Sequence, residues 1–209
     1  MNTDKLIETL AADREAEMPP NTLLVLALVA GFLGAGVLFF SMLGPRGNFM
    51  ASLASWRFVM KFVVSLTLAA SAAFLAARAM RPEARRADLL LAAAPLLLIG
   101  MVTAEAVSVP AGIWWPRLVG HNATACMTFI PLFSLAPLVA MLLALKRTAP
   151  ASPGWAGALA GLAAAGIGAA FYAAHCPDDS PFFVAVWYTL AVTIVTGIGA
   201  VAGRRLLAW

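Results

Sequence analysis

Apolar residues fall along this chain in long blocks, and polar residues gather in the short gaps between them. Six blocks lie at about 22–43, 56–79, 88–109, 124–145, 155–175 and 181–202, each close to the ~20 residues a helix needs to cross a hydrocarbon core. The gaps carry turn chemistry: Gly44-Pro45-Arg46-Gly47-Asn48, Arg81-Pro82-Glu83, Pro110 to Asn122, Lys146 to Gly154, and Pro177 to Pro181. Ahead of the first block the pattern changes to that of a short amphipathic helix. Leu6, Ile7, Leu10 and Ala11 share one face, Lys5, Glu8, Asp13 and Glu15 lie elsewhere, Thr3 or Asp4 caps the start, and Pro19-Pro20 ends it. The pattern predicts an amphipathic tail over 1–20 and a six-helix domain over 21–209.

Composition turns these blocks into spans. Of 209 residues, 62% are hydrophobic and only 11% charged, where a soluble domain needs roughly twice that share of charge to cover its surface. The class is an all-α membrane protein, a six-transmembrane-helix bundle in the lipid bilayer. No cleavable leader is read, because an acidic segment rather than a basic one precedes the first span. The net charge of +4 does not indicate a nucleic-acid partner, since the basic residues are scattered over the loops. Their distribution sets orientation instead. With the amino terminus inside, Lys5, Arg14, Arg78, Arg81, Arg85, Arg86, Lys146, Arg147, Arg204 and Arg205 lie in the cytoplasm, against Arg46, Arg57, Lys61 and Arg117 outside. That asymmetry satisfies the positive-inside rule and puts both termini in the cytoplasm. The tail itself carries five acids against two bases, a net −3. Alone it is too short to hold as a helix in water. A solvated terminus, a membrane-surface anchor and a docking peptide for a soluble partner all remain open, the anchor being disfavoured by the shortage of Lys and Arg.

Reactive side chains concentrate at the non-cytoplasmic face. His175, Cys176, Asp178 and Asp179 sit within five positions of one another, in a turn that Pro177 and Pro181 keep from being helical. Tyr172, Trp187 and Tyr188 bracket that turn as interfacial aromatics do, and Trp114 and Trp115 mark the same face. His121 and Cys126 open the fourth span on this side. Lys61 and Glu105 lie at similar depth and are expected to neutralise each other as an intramembrane ion pair. For Cys126 and Cys176 three readings stand: separate small apolar residues, a disulfide, or a thiol sensor. In the third, His121 and His175 would complete a ligand set for zinc or another soft metal ion. Gly157, Gly161, Gly199 and Gly203 suit close packing of the last two helices. Pro95, Pro131 and Pro137 are expected to bend the third and fourth.

No catalytic residues emerge. The chain has no nucleophile elbow, His-Glu-x-x-His, phosphate-binding glycine loop or Cys-x-x-Cys. A small membrane transporter or thiol-redox membrane enzyme is the alternative class. The first would show polar groups at mid-membrane and a repeat between halves, and the second another redox pair.

Several stretches taken together resemble a known family. They are Leu6-Ile7-x-x-Leu10-Ala11, Phe58-x-x-Lys61, Gly120-His121-Asn122, Cys126, Ala149-Pro150, and Tyr172-x-x-His175-Cys176-x-Asp178-Asp179-Ser180-Pro181-Phe182 followed by Trp187-Tyr188. The chain is similar, from about Leu6 to Trp209, to the NrsF family of six-helix inner-membrane negative regulators of extracytoplasmic-function (ECF) sigma factors. One departure is Ala208, where the family carries a basic residue. The resemblance implies a membrane-bound anti-sigma factor without enzymatic activity or resident cofactor, in the bacterial inner membrane. It also implies an ECF sigma factor as partner. Leu6, Ile7, Leu10 and Ala11 are then the apolar contacts of the tail, with Glu8 and Asp13 supplying charge complementarity. The paired cysteines of the family, associated with stress or metal sensing, match Cys126 and Cys176. His121, His175, Asp178 and Asp179 belong to that candidate sensing region.

Overall fold

The computed structural model describes residues 19–80, 88–148 and 150–208, together with Thr3 and Lys5. The tail residues Leu6, Ile7, Glu8, Leu10, Ala11 and Asp13 lie outside the described residues, as does the loop at 81–87. Among the described residues the regular structure is all helical. Six helical segments are long and apolar enough to cross a membrane: α1 (Pro20–Met42), α2 (Trp56–Ala79), the segment Leu89–Ser108 whose α-helical part is α3 (Ala93–Ser108), α4 (Ala123–Lys146), α5 (Pro153–His175) and α6 (Pro181–Leu206). A five-residue 3₁₀ segment, Asp88–Ala92, leads into α3. Single short helices, Phe49–Ser52 and Trp114–Val119, occupy the loops after α1 and α3.

Proline and glycine set the boundaries. Pro20, Pro153 and Pro181 each stand in the first turn of a helix, where the missing N–H is no loss. At the end of α1, Gly44 adopts φ 66° and its N–H donates to Phe39 O at 2.9 Å, a left-handed stop that a side chain would strain. Helix α4 carries Pro131 and Pro137 inside it and runs unbroken from Ala123 to Lys146.

Small residues decide which helix is central. In α5, 83% of the apolar window is buried, against 17% for α3. Its alanines and glycines let it pack against α6, α2, α4 and, more lightly, α1. A Cβ on Gly161 would come within 2.8 Å of Val195 O in α6, and one on Gly166 within 2.7 Å of Ser65 O in α2. Backbones this close gain dispersion contacts that larger side chains would prevent. The outward faces stay apolar, with Val25, Phe32, Val37, Phe40, Leu96 and Leu143 among the exposed large side chains. Such a perimeter suits lipid rather than water.

Contacts between loops define the two ends of the bundle. Arg46 N–H donates to Ala174 O at 3.1 Å, joining the α1–α2 loop to the end of α5. Asn122 N–H donates to Asp178 Oδ2 at 2.9 Å, adding the α3–α4 loop to the same end. At the opposite end Leu207 is fully buried in one apolar cluster with Met80, Leu145 and Ala156.

Candidate functional site

The loop-rich end gathers the ionisable residues into two ion clusters over one apolar floor. The first cluster centres on Asp179. Arg46 reaches it with Nη1 and Nη2, each 3.0 Å from Oδ2, and Lys61 Nζ lies 2.6 Å from Oδ1. Lys61 is fully buried and also donates to Cys176 O at 2.9 Å. Arg46 Nη1 shares that carbonyl at 3.3 Å. Cys176 caps α5, and the two cations satisfy its carbonyl at the end where the helix dipole is negative. Both cations also stand over the Phe58 ring, Arg46 at 4.2 Å and Lys61 at 5.4 Å from its centre.

The second cluster centres on Glu105, buried completely near the end of α3. Arg57 Nε donates to Glu105 Oε2 at 2.7 Å, and Arg117 Nη1 to Oε1. The expected Lys61–Glu105 pair is therefore replaced by two separate clusters. Arg57 and Lys61 stand one turn apart on α2, yet their side chains go to different partners. Arg57, the more exposed of the two, meets Glu105, while Lys61 turns inward to the α5–α6 turn.

Asp178 fastens the α3–α4 loop. Its Oδ2 accepts from the backbone N–H groups of His121 at 3.0 Å and Asn122 at 2.9 Å, and from Asn122 Nδ2 at 2.9 Å. Burial raises its carboxyl pKa, but the Asn122 amide and the two backbone donors outweigh that and hold it below the ordinary carboxylate value. Gly120 makes this approach feasible. Its φ is 59°, and a Cβ there would sit 2.5 Å from the Phe183 ring and 3.0 Å from Asp178 Oδ2.

Beneath the turn, Cys126 and Cys176 are free thiols without solvent exposure. They share an apolar cluster with Ile130, Phe133, Tyr172, Phe183 and Tyr188. Burial pushes the Cys176 thiol up, and the nearby Lys61 charge opposes this without cancelling it. Tyr172 and Tyr188 are core residues here, buried beside the sulfurs rather than placed at a lipid interface. Trp187 is half-buried against the same cluster, its Nε1 donating to Leu118 O at 3.0 Å.

The histidines do not join the sulfurs. His175 Nδ1 lies 3.0 Å from Gly44 O, and the His121 side chain is 95% exposed, 3.7 Å from Asp178. Among the described residues no three His, Cys, Asp or Glu side chains group as metal ligands. The anticipated set of Cys126, Cys176, His121 and His175 therefore does not fit a resident zinc ion, because the imidazoles are drawn to the loops above the thiols. Arg46, Arg57, Arg117 and Asn122 enter the site although the sequence pattern marked none of them as a site residue. The i, i+4 spacing of Arg57 and Lys61 was the available signal for Arg57.

Comparison with known proteins bears on what this arrangement serves. Residues 10–209 match the family model described as NrsF, negative regulator of sigma F. A probable anti-sigma-F factor NrsF from Azospira oryzae is 30% identical over 214 residues, and the anti-sigma-F factor NrsF of Caulobacter vibrioides is 33% identical over 224 residues. Each alignment covers 100% of both chains. No solved structure matches.

Proposed function

The chain belongs to the NrsF family of negative regulators of sigma F, a regulatory and non-enzymatic family, and we propose that it holds an ECF sigma factor at the cytoplasmic face of a bacterial inner membrane. The tail over residues 1–20 makes the contact. End-to-end similarity to anti-sigma-F factors carries this reading. The tail's apolar stripe and net −3 charge support it, since an acidic amphipathic segment complements the basic surfaces a sigma factor offers to DNA or polymerase. Leu6, Ile7, Leu10 and Ala11 are the apolar contacts, and Glu8 and Asp13 set the charge register. Ordering the tail on binding costs roughly 2–5 kcal/mol of the gross contact energy, so each apolar anchor matters. Co-expressed sigma factor is expected to co-purify with the wild-type protein, and capture should fall on the order of 100-fold with Leu6→Asp plus Leu10→Asp. Undiminished capture by that variant would remove the tail from the mechanism.

The signal enters at Cys126 and Cys176, on the periplasmic side, with His121, His175, Asp178 and Asp179 forming the surrounding cap. Two thiols in one cluster, at the end where three loops meet, support this assignment. Oxidation of the sulfurs, or their capture of a soft metal ion arriving as the signal, shifts α4 against α5 and α6, and the opposite end responds by releasing the sigma factor. A reporter of the sigma regulon in a Cys126→Ser, Cys176→Ser strain should lose induction by oxidant or metal. Wild-type induction in that strain would make the thiols structural.

A further inference from the structure

The segment between α5 and α6 runs only from Cys176 to Ser180, and its fastening comes largely from other parts of the chain. Cys176 N–H completes the last turn of α5 on Tyr172 O at 2.9 Å. Beyond that bond, Arg46 and Lys61 hold Asp179 and the Cys176 carbonyl, while His121 and Asn122 hold Asp178. The two sulfurs below it are fixed in different ways. Cys126 lies in the first turns of α4, its amide bonded to Asn122 O at 2.8 Å, so exposing it means dismantling that helix end. Cys176 sits on the turn itself, with an extended backbone at ψ 122°.

We propose that the Arg46–Asp179–Lys61 triad is a latch that closes this turn over the thiols, and that Cys176, not Cys126, is the sulfur modified when it opens. The proposal rests on the thiol-sensing reading and adds the order of events to it. Side-chain exposures of 10% for Arg46 and 23% for Asp179 leave the latch reachable from water, whereas Lys61 is wholly enclosed. Lifting Asp179 strips that enclosed ammonium of its carboxylate. With that tie gone the turn lifts, and the Cys176 sulfur reaches water, where its thiolate form is the nucleophile. With a maleimide as electrophile, the thiolate forms a C–S bond to one alkene carbon and the other takes a proton from water.

The experiment labels full-length protein in nanodiscs with a maleimide, following Cys176 in a Cys126→Ser background and Cys126 in a Cys176→Ser background. Both should label slowly in the otherwise unchanged chain. Asp179→Asn should accelerate Cys176 on the order of ten-fold while Cys126 changes little. Arg46→Gln leaves Lys61 to hold Asp179 and should give a smaller acceleration at the same sulfur. Asp179→Glu, which preserves the charge, should stay near the starting rate. Unchanged labelling of Cys176 in both latch variants, or equal acceleration of both sulfurs, would overturn the proposal. If Asp179→Asn loosens the whole bundle, the Arg46→Gln ratio decides. Labelling reads the latch whether or not the sulfur signals, and the regulon reporter reads signalling whether or not the latch exists.

Discussion

Glu105 shows how burial rather than pairing decides the cost of a charge. Its carboxylate is wholly enclosed, while Arg57 and Arg117 keep 31% and 37% of their side chains in contact with the surroundings. Removing the arginines strands a charge that cannot reach water, whereas removing the carboxylate leaves two cations that can turn outward. Arg57→Met plus Arg117→Met should therefore destabilise the bundle by about 3–5 kcal/mol. Adding Glu105→Gln to that pair should restore about 2 kcal/mol or more. A triple variant that melts below the double in detergent would contradict this accounting. Asp178 makes a prediction in pH. Its folded pKa lies below the unfolded value, so its contribution is full above about pH 4 and is lost as pH falls through the depressed folded value. Asp178→Asn should lower stability at neutral pH and flatten the acid limb of the melting-temperature profile, and an unaltered limb would place that sensitivity elsewhere. Both clusters were only half legible in the sequence. Charge and depth marked Lys61 and Glu105 as needing partners, but the inward turn of Lys61 depends on where the α5–α6 turn sits in space. No spacing along the chain encodes that position.

Helix α5 works because its glycines face three different neighbours. Gly157 and Gly161 meet α6, Gly166 meets α2, and Gly168 comes against Ile130 O of α4 at 2.7 Å from its notional Cβ. The four-residue spacing of Gly157, Gly161, Gly199 and Gly203 was readable as a packing seam, and so were the proline-bounded ends of α5 and α6. Assignment of Gly166 and Gly168 to separate neighbours was not, since both sit in one alanine-rich run with little contrast between faces. The π-helical segment Val184–Tyr188 inside α6 was equally hidden, because five apolar residues read the same at any helical pitch. One matched pair on α6 separates close approach from helix propensity. A Cβ on Gly199 would lie 2.9 Å from Gly161 Cα, whereas one on Gly197 meets nothing within 4 Å. Gly199→Ala should cost about 1–3 kcal/mol through the forced separation of α5 and α6. Gly197→Ala should be neutral or stabilising by up to ~1 kcal/mol. Equal melting temperatures for the two variants would mean that the helices slide apart without penalty.

At the scale of the molecule, the charge pattern and the ion clusters describe one asymmetry. The four basic residues at the thiol-bearing end, Arg46, Arg57, Lys61 and Arg117, are all engaged by Asp179 or Glu105. At the other end, Lys146, Arg147, Arg204 and Arg205 are exposed. Compensated cations are held by protein carboxylates, whereas exposed ones favour the side rich in anionic lipid headgroups. The bundle should accordingly insert with the thiol end outward. An even number of spans then returns the carboxyl terminus to the side from which the tail emerges. Native cysteines are poor reporters of this orientation because both are enclosed. Single cysteines placed at Met50, 79% exposed in the loop after α1, and at Leu206, 51% exposed at the end of α6, avoid that difficulty in a Cys126→Ser, Cys176→Ser background. In intact spheroplasts an impermeant maleimide should label Met50→Cys at once and Leu206→Cys only after the membrane is permeabilised. The reverse order would put the thiols in the cytoplasm and the tail outside, where no sigma factor could meet it.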